Sequence, residues 1–477
     1  MKTLEELLEG LPADIVVSAE EVQQARANAN DTTVYVVLDD DPTGTQSVAD
    51  LPVLTSWEKE DFDWAYSTGK AAIYVMTNSR SLAPADAEAV NREVVAAALA
   101  SAKESGTHVA FVSRSDSTMR GHFPLEPNTI GEEVEKATGE KVDGIVVVPA
   151  FGDAGRITIK GTHYAGSVAT GFVPVGETEF AKDATFGYKS SYLPDWVEEK
   201  TGGGIKADDV IVLDLTTLRT DRAKAVEMLR SAKDSAVITV DIVTEEDLRL
   251  LALALIDAES AGSSFVYRVG PPFVRARIGQ AVHPPLTVEE INASRGDREL
   301  AKGGLIVVGS HVGLTTRQLN TLRERQTPVE YEIDVAKVID SDQRDAHIAD
   351  IAEQAAAKLN DGNVVIRTSR KLVTGADADA SLDISRQVSA AVVGVVQGIL
   401  AANPPKFVVA KGGITSSDTA SKGLAIRHAL VIGPMLPGIV SLWSGQDGPA
   451  AGIPYIVFAG NVGDDESLAV VVDKLSQ

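Results

Sequence analysis

The segment 34–46 constrains the fold of this chain more than any other stretch. Its first five residues are β-branched, aromatic or aliphatic, a composition that predicts a short buried strand. The run ends on three consecutive carboxylates, Asp39, Asp40 and Asp41, and Pro42 and Gly44 then predict a turn. Ligands of open α/β sheets bind beyond the carboxyl ends of the strands, so we expect these aspartates to face a ligand cleft. A solvated acidic turn is the alternative interpretation at this stage.

Strands and helices alternate along the rest of the chain. Strands are predicted at residues 34–38, 72–76, 109–113, 144–148, 210–213, 236–240 and 264–267, and again at 305–308, 363–367, 407–410 and 453–458. Helices are predicted between them, for example at 85–105, 221–233, 344–359 and 384–402. The alternation predicts an α/β fold with two three-layer domains, mostly parallel sheets and an interdomain cleft. We place a helical N-terminal arm at residues 1–30, a first domain at 31–285, a linker at 286–303 and a second domain at 304–477.

The composition argues against several classes of function. The 477 residues carry a formal net charge of -24, which repels nucleic acid and anionic membranes. The absence of cysteine excludes a disulfide scaffold, a thiol nucleophile and a cysteine-ligated metal. The N-terminus lacks the features of a signal peptide, and the most apolar segments, 248–258 and 390–402, are too short to span a bilayer. We therefore expect a cytoplasmic protein with neither a nucleic-acid nor a membrane partner.

Polar loops follow four strands of the predicted first domain, at residues 39–45, 77–80, 113–122 and 149–163. Such loops converge on one edge of a parallel sheet. Arg80 suits bidentate capture of a carboxylate, and the segment 113–122 suits a grip on hydroxyl groups. Taken alone, Arg80 would be read first as a surface residue on a loop, and Asp116 with Ser117 could cap the next helix.

Glycine-rich turns mark the predicted second domain, at residues 309–313, 411–417, 433–438 and 459–463. Glycine turns between a strand and a helix expose backbone N–H groups where the helix dipole favours anions, which suits a nucleoside triphosphate. Glycine also caps helices, so each turn alone is weak evidence. The chain has no Walker A loop, protein-kinase motif set or dinucleotide fingerprint, and none of its seven histidines shows metal-ligand spacing.

As a set, these motifs resemble the four-carbon acid sugar kinase family, from residue 34 to about residue 468. In the first domain the resemblance rests on Asp40, Asp41, Thr43 and Gly44, on Asn78, Ser79 and Arg80, and on Asp116, Ser117, Thr118, Arg120 and Gly121. In the second domain it rests on Gly309 and Ser310, on Gly412, Gly413, Thr415 and Ser416, and on Gly460, Asn461 and Gly463.

Two positions depart from the family pattern. Val312 stands where members often carry a second serine, and Ile414 stands where an acidic residue is common. The change at Ile414 removes one candidate contact to a metal or a ribose. Separately, the form of the segment 39–45 and the N-terminal arm resemble a longer subgroup of the family, whose substrate can differ from threonate.

The resemblance implies an ATP-dependent kinase that phosphorylates the terminal hydroxyl of a small four-carbon sugar acid. It implies that Asp40 or Asp41 takes the hydroxyl proton, and we favour Asp40. It also implies substrate binding by Thr43, Gly44, Asn78, Arg80, Asp116, Ser117, Thr118 and Arg120, and ATP binding by the residues of the three second-domain motifs. Mg²⁺ is expected with ATP, without ligands that can be named. The subunit number stays open, a homo-oligomer included. A sugar-acid dehydrogenase or epimerase and a non-catalytic sugar-acid-binding protein are the alternatives.

Overall fold

The computed structural model describes residues 1–369 and 378–477, and these residues form two compact units. The first unit comprises Met1–Leu51 and Trp57–Val282, and the second comprises Pro52–Ser56 and His283–Gln477. Each unit carries its own mostly parallel sheet together with helices. The predicted α/β class with two domains is therefore confirmed.

The elements of the first unit follow the predicted alternation and add strands to it. Its strands are β1 (Val34–Asp39), β2 (Leu51–Leu54, whose last three residues are grouped with the second unit), β3 (Ala72–Met76), β4 (Val109–Arg114), β5 (Gly144–Val148), β6 (Arg156–Ile159), β7 (Thr162–Ser167), β8 (Gly171–Pro174), β9 (Ile211–Leu213), β10 (Ala236–Val240) and β11 (Phe265–Val269). Its helices are α1 (Leu4–Leu8), α2 (Ala19–Asn28), α3 (Lys59–Ser67), α4 (Pro84–Ser105), α5 (Leu125–Thr138), α6 (Leu193–Lys200), α7 (Leu215–Thr220), α8 (Arg222–Ser231), α9 (Glu245–Ser260) and α10 (Pro272–Arg277).

The main sheet of the first unit is parallel, in the order β3-β1-β4-β11-β5-β10-β9. The central strands of this sheet, such as β1 and β5, are largely apolar because both faces of the sheet are buried there. The chain passes from β1 to β3 on one side and then returns to β4 on the other. Strand order therefore reverses beside β1, and in such sheets the ligand crevice lies at this reversal. Asp39 and Arg114 are paired in register there.

Two smaller parts of the first unit lie outside this sheet. Strands β6, β7 and β8 form a separate antiparallel sheet that the sequence did not predict. The N-terminal arm packs on the same unit: Leu7 lies in a core cluster with Ile157 and Phe172, and Val22 lies in a cluster with Ile256.

The second unit repeats the strand–helix alternation and closes with antiparallel strands. Its strands are β12 (Leu305–Val308), β13 (Val329–Ile333), β14 (Val364–Thr368), β15 (Val408–Lys411), β16 (His428–Leu436), β17 (Ile439–Gly445) and β18 (Pro454–Phe458). Its helices are α11 (Val288–Ala293), α12 (Gly313–Gln326), α13 (Val335–Ile339), α14 (Ser341–Lys358), α15 (Ala378–Ala402), α16 (Gly413–Asp418) and α17 (Ser467–Ser476).

The order in this second sheet is β13-β14-β12-β15-β18-β17-β16. Strands β12 to β15 and β18 run parallel, whereas β17 is antiparallel to both β16 and β18. The order again reverses beside β12, this time between β12 and β15. The prediction of a strand-to-helix glycine turn at 433–438 is wrong, because Gly433 lies inside β16 and Leu436 pairs with Ile439 across a β-hairpin.

Helix α15 is longer than the sequence suggested. The stretch Asp383–Ala402 has 20 residues and a mean hydropathy of 1.4, so the expectation that this segment is too short to cross a bilayer is wrong on length. Length and composition are weak evidence for a membrane span, since a core helix passes the same test. Val395, Val396 and Ile399 are each fully buried, as the inward face of a core helix would be.

Candidate functional site

Asp40 lies at the strand-order reversal of the first unit and is the least satisfied charged group there. Its side chain is 1% exposed, and within the described parts of the chain neither carboxylate oxygen has a hydrogen-bond partner. The nearest cations are Arg114, 3.7 Å away, and Arg80, 4.0 Å away. Burial raises the pKa of Asp40 to about 6, although both arginines act in the opposite direction. A buried carboxylate without a donor is a free acceptor for a ligand hydroxyl.

Asp39 and Asp41 flank Asp40, but each already forms an ion pair with an arginine. Asp39 forms an ion pair with Arg114, while burial raises the pKa of Asp39 to about 7. Asp41 forms an ion pair with Arg80, and its Oδ1 accepts hydrogen bonds from the N–H and hydroxyl of Thr43 at 2.9 and 2.5 Å. Burial opposes ionisation of Asp41, but Arg80 and Arg114 together hold its pKa below the usual value.

Two glycines allow these groups to approach one another closely. A Cβ on Gly44 would lie 1.9 Å from Asp39 Oδ2, so no other residue fits there without displacing that carboxylate. A Cβ on Gly121, whose φ is +109°, would lie 3.0 Å from Arg268 Nη2 and 3.1 Å from Asp40 Oδ2. Asp40 and Arg268 therefore border the same small space beside Gly121.

Asp116 connects Arg80 to the loop that follows β4. Its Oδ1 lies 3.6 Å from Arg80, and its Oδ2 accepts hydrogen bonds from Arg120 Nε at 2.8 Å and from the Thr118 hydroxyl. Burial would raise the pKa of Asp116, but Arg80 and Arg120 together hold it well below its usual range. Asp39, Asp40, Asp41 and Asp116, with Arg80 and Arg114, are called the aspartate site from here on.

The remaining predicted residues of this region help to shape the site through the backbone. Asn78 has a φ of 52°, and its N–H donates to the Asp39 carbonyl at 3.2 Å. The Ser117 carbonyl lies 2.8 Å from Nε2 of His163, and burial lowers the pKa of His163 to about 4. A neutral His163 ring that donates from Nε2 satisfies this contact and holds the loop in place.

Arg114, Arg156 and Arg268 were not assigned to the site from the sequence. Arg268, at the end of β11, is 3% exposed and donates from Nη2 to the Arg120 carbonyl at 3.1 Å. Its Nη1 has no hydrogen-bond partner among the described residues and lies 3.8 Å from Glu126 Oε2. The sequence signal that could have identified Arg268 is its position inside an otherwise apolar strand, because a buried charge needs a partner or a ligand.

Arg156 differs from the other arginines of this region because it forms no ion pair with any described residue. Its Nη1 donates to the Ala154 carbonyl, and its Nε has no partner within the described ranges. Burial lowers its pKa, and Asp116 is the nearest acidic influence on it. Arg156 and Arg120 both lie over the ring of Phe180, at 5.6 and 5.4 Å. Arg156 is therefore a guanidinium available to an anion.

The predicted glycine turns of the second unit converge at its own strand-order reversal. The N–H groups of Gly309 and Ser310 both donate to the Lys411 carbonyl at 3.3 Å. The Thr315 hydroxyl lies 3.1 Å from Ser310 Oγ and 3.0 Å from the Gly460 carbonyl. The turns at 309–310, 412–416 and 460–463 are thus joined to one another by hydrogen bonds.

Close packing explains why glycine occupies these turns. A Cβ on Gly309 would lie 2.1 Å from Thr415 Oγ1, and a Cβ on Gly460 would lie 2.5 Å from Ser310 Oγ. Gly412 has a φ of 128°, which side chains rarely adopt. The close packing leaves no room for a side chain at Gly309 or Gly460 and fixes the turns against one another.

The other predicted residues of these turns fall into two groups. Ser416 is buried, and its hydroxyl donates to the Ala410 carbonyl at 2.9 Å, so it stabilises the turn. Gly463 has a φ of 80° and packs against Ser467. Gly413 has open space where a side chain would lie, and Asn461 is exposed, which leaves both accessible to a ligand.

The described residues contain no cluster of side chains that could hold a metal ion. No group of three or more histidine, aspartate or glutamate side chains there is arranged to hold an ion.

Comparison with known proteins gives two family models, which match consecutive parts of the chain. Residues 35–277 match a family model described as a sugar-binding N-terminal domain, and residues 305–468 match one described as a nucleotide-binding C-terminal domain. The comparison with curated proteins gave no match.

Two crystal structures share the fold over most of the chain. A protein from Salmonella typhimurium LT2, provisionally described as a tRNA synthase, is 18% identical with a TM-score of 0.65, covering 92% of this chain and 98% of its own. A Haemophilus influenzae protein assigned to a domain family of unknown function is 17% identical with a TM-score of 0.60, covering 91% and 98%.

Proposed function

Because the chain belongs to the four-carbon acid sugar kinase family, with a sugar-binding and a nucleotide-binding domain, we propose that it is an ATP-dependent sugar acid kinase. It transfers the γ-phosphoryl group to the terminal hydroxyl of a small four-carbon sugar acid. The observation that carries this proposal is the Asp40 carboxylate, which is buried, bordered by arginines and without a hydrogen-bond donor among residues 1–369 and 378–477.

Asp40 takes the proton of the acceptor hydroxyl in this proposal. The hydroxyl oxygen bonds to the γ-phosphorus as the bond to the bridging oxygen breaks, so the products are the sugar acid phosphate, ADP and a proton. A base with a pKa of about 6 is largely ionised at neutral pH and still able to accept a proton. Asp41 is the weaker candidate, because Arg80 and Thr43 already occupy its oxygens.

Access to Asp40 depends on Arg80. Asp40 is closed to solvent, whereas the Arg80 side chain is 20% exposed at the rim of the aspartate site. A substrate carboxylate competes with Asp41 and Asp116 for Arg80, and movement of that guanidinium opens the way to Asp40. Substrate binding and exposure of the base are coupled in this way.

Arg156 supplements Arg80 in holding the substrate carboxylate. The two arginines both interact with Asp116, and Arg156 has no ion pair to give up within the described residues. Asp116, Ser117, Thr118 and Arg120 are proposed to hold the substrate hydroxyls, as their family motif implies, together with Thr43, Gly44 and Asn78.

The glycine turns of the second unit are proposed to bind ATP. Backbone N–H groups and helix N-termini suit phosphate oxygens, and the close contacts at Gly309 and Gly460 hold the turns in one arrangement. Mg²⁺ is expected to neutralise the phosphates and to be held largely by phosphate oxygens and water, as is common for this ion.

A coupled assay of ADP release tests the activity directly. Threonate, erythronate and their oxo-acid counterparts are supplied with ATP and Mg²⁺, and at least one is expected to give continuous ADP release. Thermal shift with ATP-Mg²⁺ and with NAD is the companion measurement, and stabilisation by ATP-Mg²⁺ alone is expected. Stabilisation by NAD alone, without ADP release from any acid, would contradict the proposal.

A further inference from the structure

Lys411 is a fully buried lysine at the end of β15, immediately before the 412–416 turn. Its side chain has 0% exposure, and its ammonium lies 3.8 Å from the centre of the Phe458 ring. Nζ donates to the Ala459 carbonyl at 2.5 Å. No carboxylate among the described residues forms an ion pair with it, which makes Lys411 an uncompensated buried cation in a strongly acidic protein.

An arrangement of this kind is costly unless an anion binds nearby. A buried ammonium without a counter-charge loses hydration that one carbonyl and one aromatic ring replace only in part. Burial accordingly lowers the pKa of Lys411 to about 7. The approach of phosphate oxygens would stabilise the charged form.

Lys411 also connects all three glycine turns. Its carbonyl accepts from the N–H groups of Gly309 and Ser310, and its side chain reaches the carbonyl that precedes Gly460. The next residue, Gly412, donates its N–H to the Phe458 carbonyl at 2.9 Å. One residue thus touches the 309–310 turn, begins the 412–416 turn and fixes the start of the 460–463 turn.

We propose that Lys411 is the positioning residue of the nucleotide site: its ammonium fixes the 460–463 turn and supplies the positive charge beneath the phosphates. The inference rests on the proposed function and deepens it. The affinity of the site depends on the number of phosphate groups on the nucleotide, and Lys411 sets that dependence.

Binding of ATP, ADP, AMP and adenosine, measured by calorimetry, tests this inference on the full-length protein. K411M removes the charge, K411Q removes the charge but keeps a donor for the Ala459 carbonyl, and K411R keeps the charge. K358Q is the control, because Lys358 is a half-exposed lysine of the same unit paired with Asp361. Thermal unfolding of each variant establishes that it is folded.

For K411M and K411Q we expect ATP to bind about tenfold or more weakly, in line with the loss of a charged interaction. ADP should be weakened less, and adenosine should bind as it does to the wild type. K411R should recover most of the ATP affinity, and K358Q should match the wild type. If K411M does not fold, K411Q provides the same comparison, since it keeps a donor for the turn.

Two results would overturn the inference, and they differ from failure of the proposed function. Equal weakening of all four ligands would make Lys411 a structural residue only, and unchanged ATP affinity in K411Q would remove its role altogether. A wild-type protein that binds none of the four ligands would refute the proposed nucleotide site itself and this inference with it.

Discussion

The aspartate site of the first unit and the glycine turns of the second occupy equivalent places in their sheets but are built from opposite chemistry. Each lies where strand order reverses, beside β1 in one unit and beside β12 in the other. The first uses charged side chains in close pairs, such as Asp39 with Arg114, whereas the second uses backbone groups and one buried lysine.

The contrast between paired charged side chains and backbone groups shows two ways in which an acidic chain can bind anions. With a net charge of -24, the protein repels anions at long range, so each site must supply attraction locally. Charged side chains in fixed pairs suit a small ligand whose hydroxyls and carboxylate must be told apart. Backbone N–H groups suit phosphates, which present the same oxygens in every nucleoside triphosphate.

The largest expected effect separates catalysis from nucleotide binding. Asp40→Asn keeps the size of the side chain but removes the proton acceptor, so turnover should fall by about 10³-fold. ATP affinity should be unchanged, because Asp40 lies in the first unit and the proposed ATP residues lie in the second. Steady-state ADP release and calorimetry with ATP measure the two properties.

Asp257→Asn is the matched control for this substitution. Asp257 is a half-exposed aspartate of the same unit, paired with Arg222 on the surface, and its replacement should leave turnover at the wild-type level. Wild-type turnover in Asp40→Asn would exclude Asp40 as the base and would remove the main argument for the proposed mechanism.

The next largest effect concerns the glycine turns. Gly309→Ala places a Cβ 2.1 Å from Thr415 Oγ1, and the branched Thr415 side chain cannot rotate freely away, so the turns must separate. Overpacking of this kind should weaken ATP binding by about tenfold or more, with sugar acid binding unaffected. Gly362→Ala is the control, since a Cβ there meets no atom within 4 Å. Unchanged ATP affinity in Gly309→Ala would mean that these turns do not bind the nucleotide.

The main sheets were predictable from the sequence because parallel strands buried on both faces appear as continuous apolar runs. The run at 34–38 became β1, and that at 144–148 became β5. Strand β13, with the sequence VEYEI, was missed because it alternates with glutamates. Strand β16 was misinterpreted because Gly433 and Pro434 are typical of turns, whereas here they lie within a strand that ends at the Pro437–Gly438 hairpin.

The candidate site was only partly predictable, for a reason that concerns distance along the chain. Motif positions such as Asp40 and Gly309 follow predicted strands, so topology alone brings them to the sheet edges. Arg268 reaches the Arg120 carbonyl across 148 residues of sequence, and no local pattern encodes that contact. The buried state of Lys411 depends likewise on Phe458, the last residue of β18, and on Ala459, which lies 48 residues further along the chain.

A smaller effect should distinguish Arg156 from Arg80, the two arginines proposed to hold the substrate carboxylate. Arg156→Gln removes a guanidinium that forms no ion pair with the described residues, so we expect the KM for the sugar acid to rise about tenfold with kcat unchanged. The neutral amide of the same acid should be handled equally by variant and wild type. If Arg156→Gln keeps the wild-type KM for the acid, the carboxylate is held by Arg80 alone.

The smallest effect is a pH dependence that decides between the two aspartates proposed as the base. Burial raises the pKa of Asp40 to about 6 in the ligand-free protein, and the base must be ionised to accept a proton, so kcat/KM for the sugar acid should fall as the pH drops below about 6. The loss should be about tenfold at pH 5, where about one molecule in ten carries the ionised base. Arg80 and Arg114 outweigh burial and lower the pKa of Asp41 in the ligand-free protein, so a base at Asp41 would keep kcat/KM constant through this range. A flat profile of kcat/KM for the sugar acid between pH 7 and 5, at saturating ATP, would therefore transfer the role from Asp40 to Asp41. A fall with a midpoint near 6 in the wild type that moves to another pH in Asp40→Glu would retain Asp40.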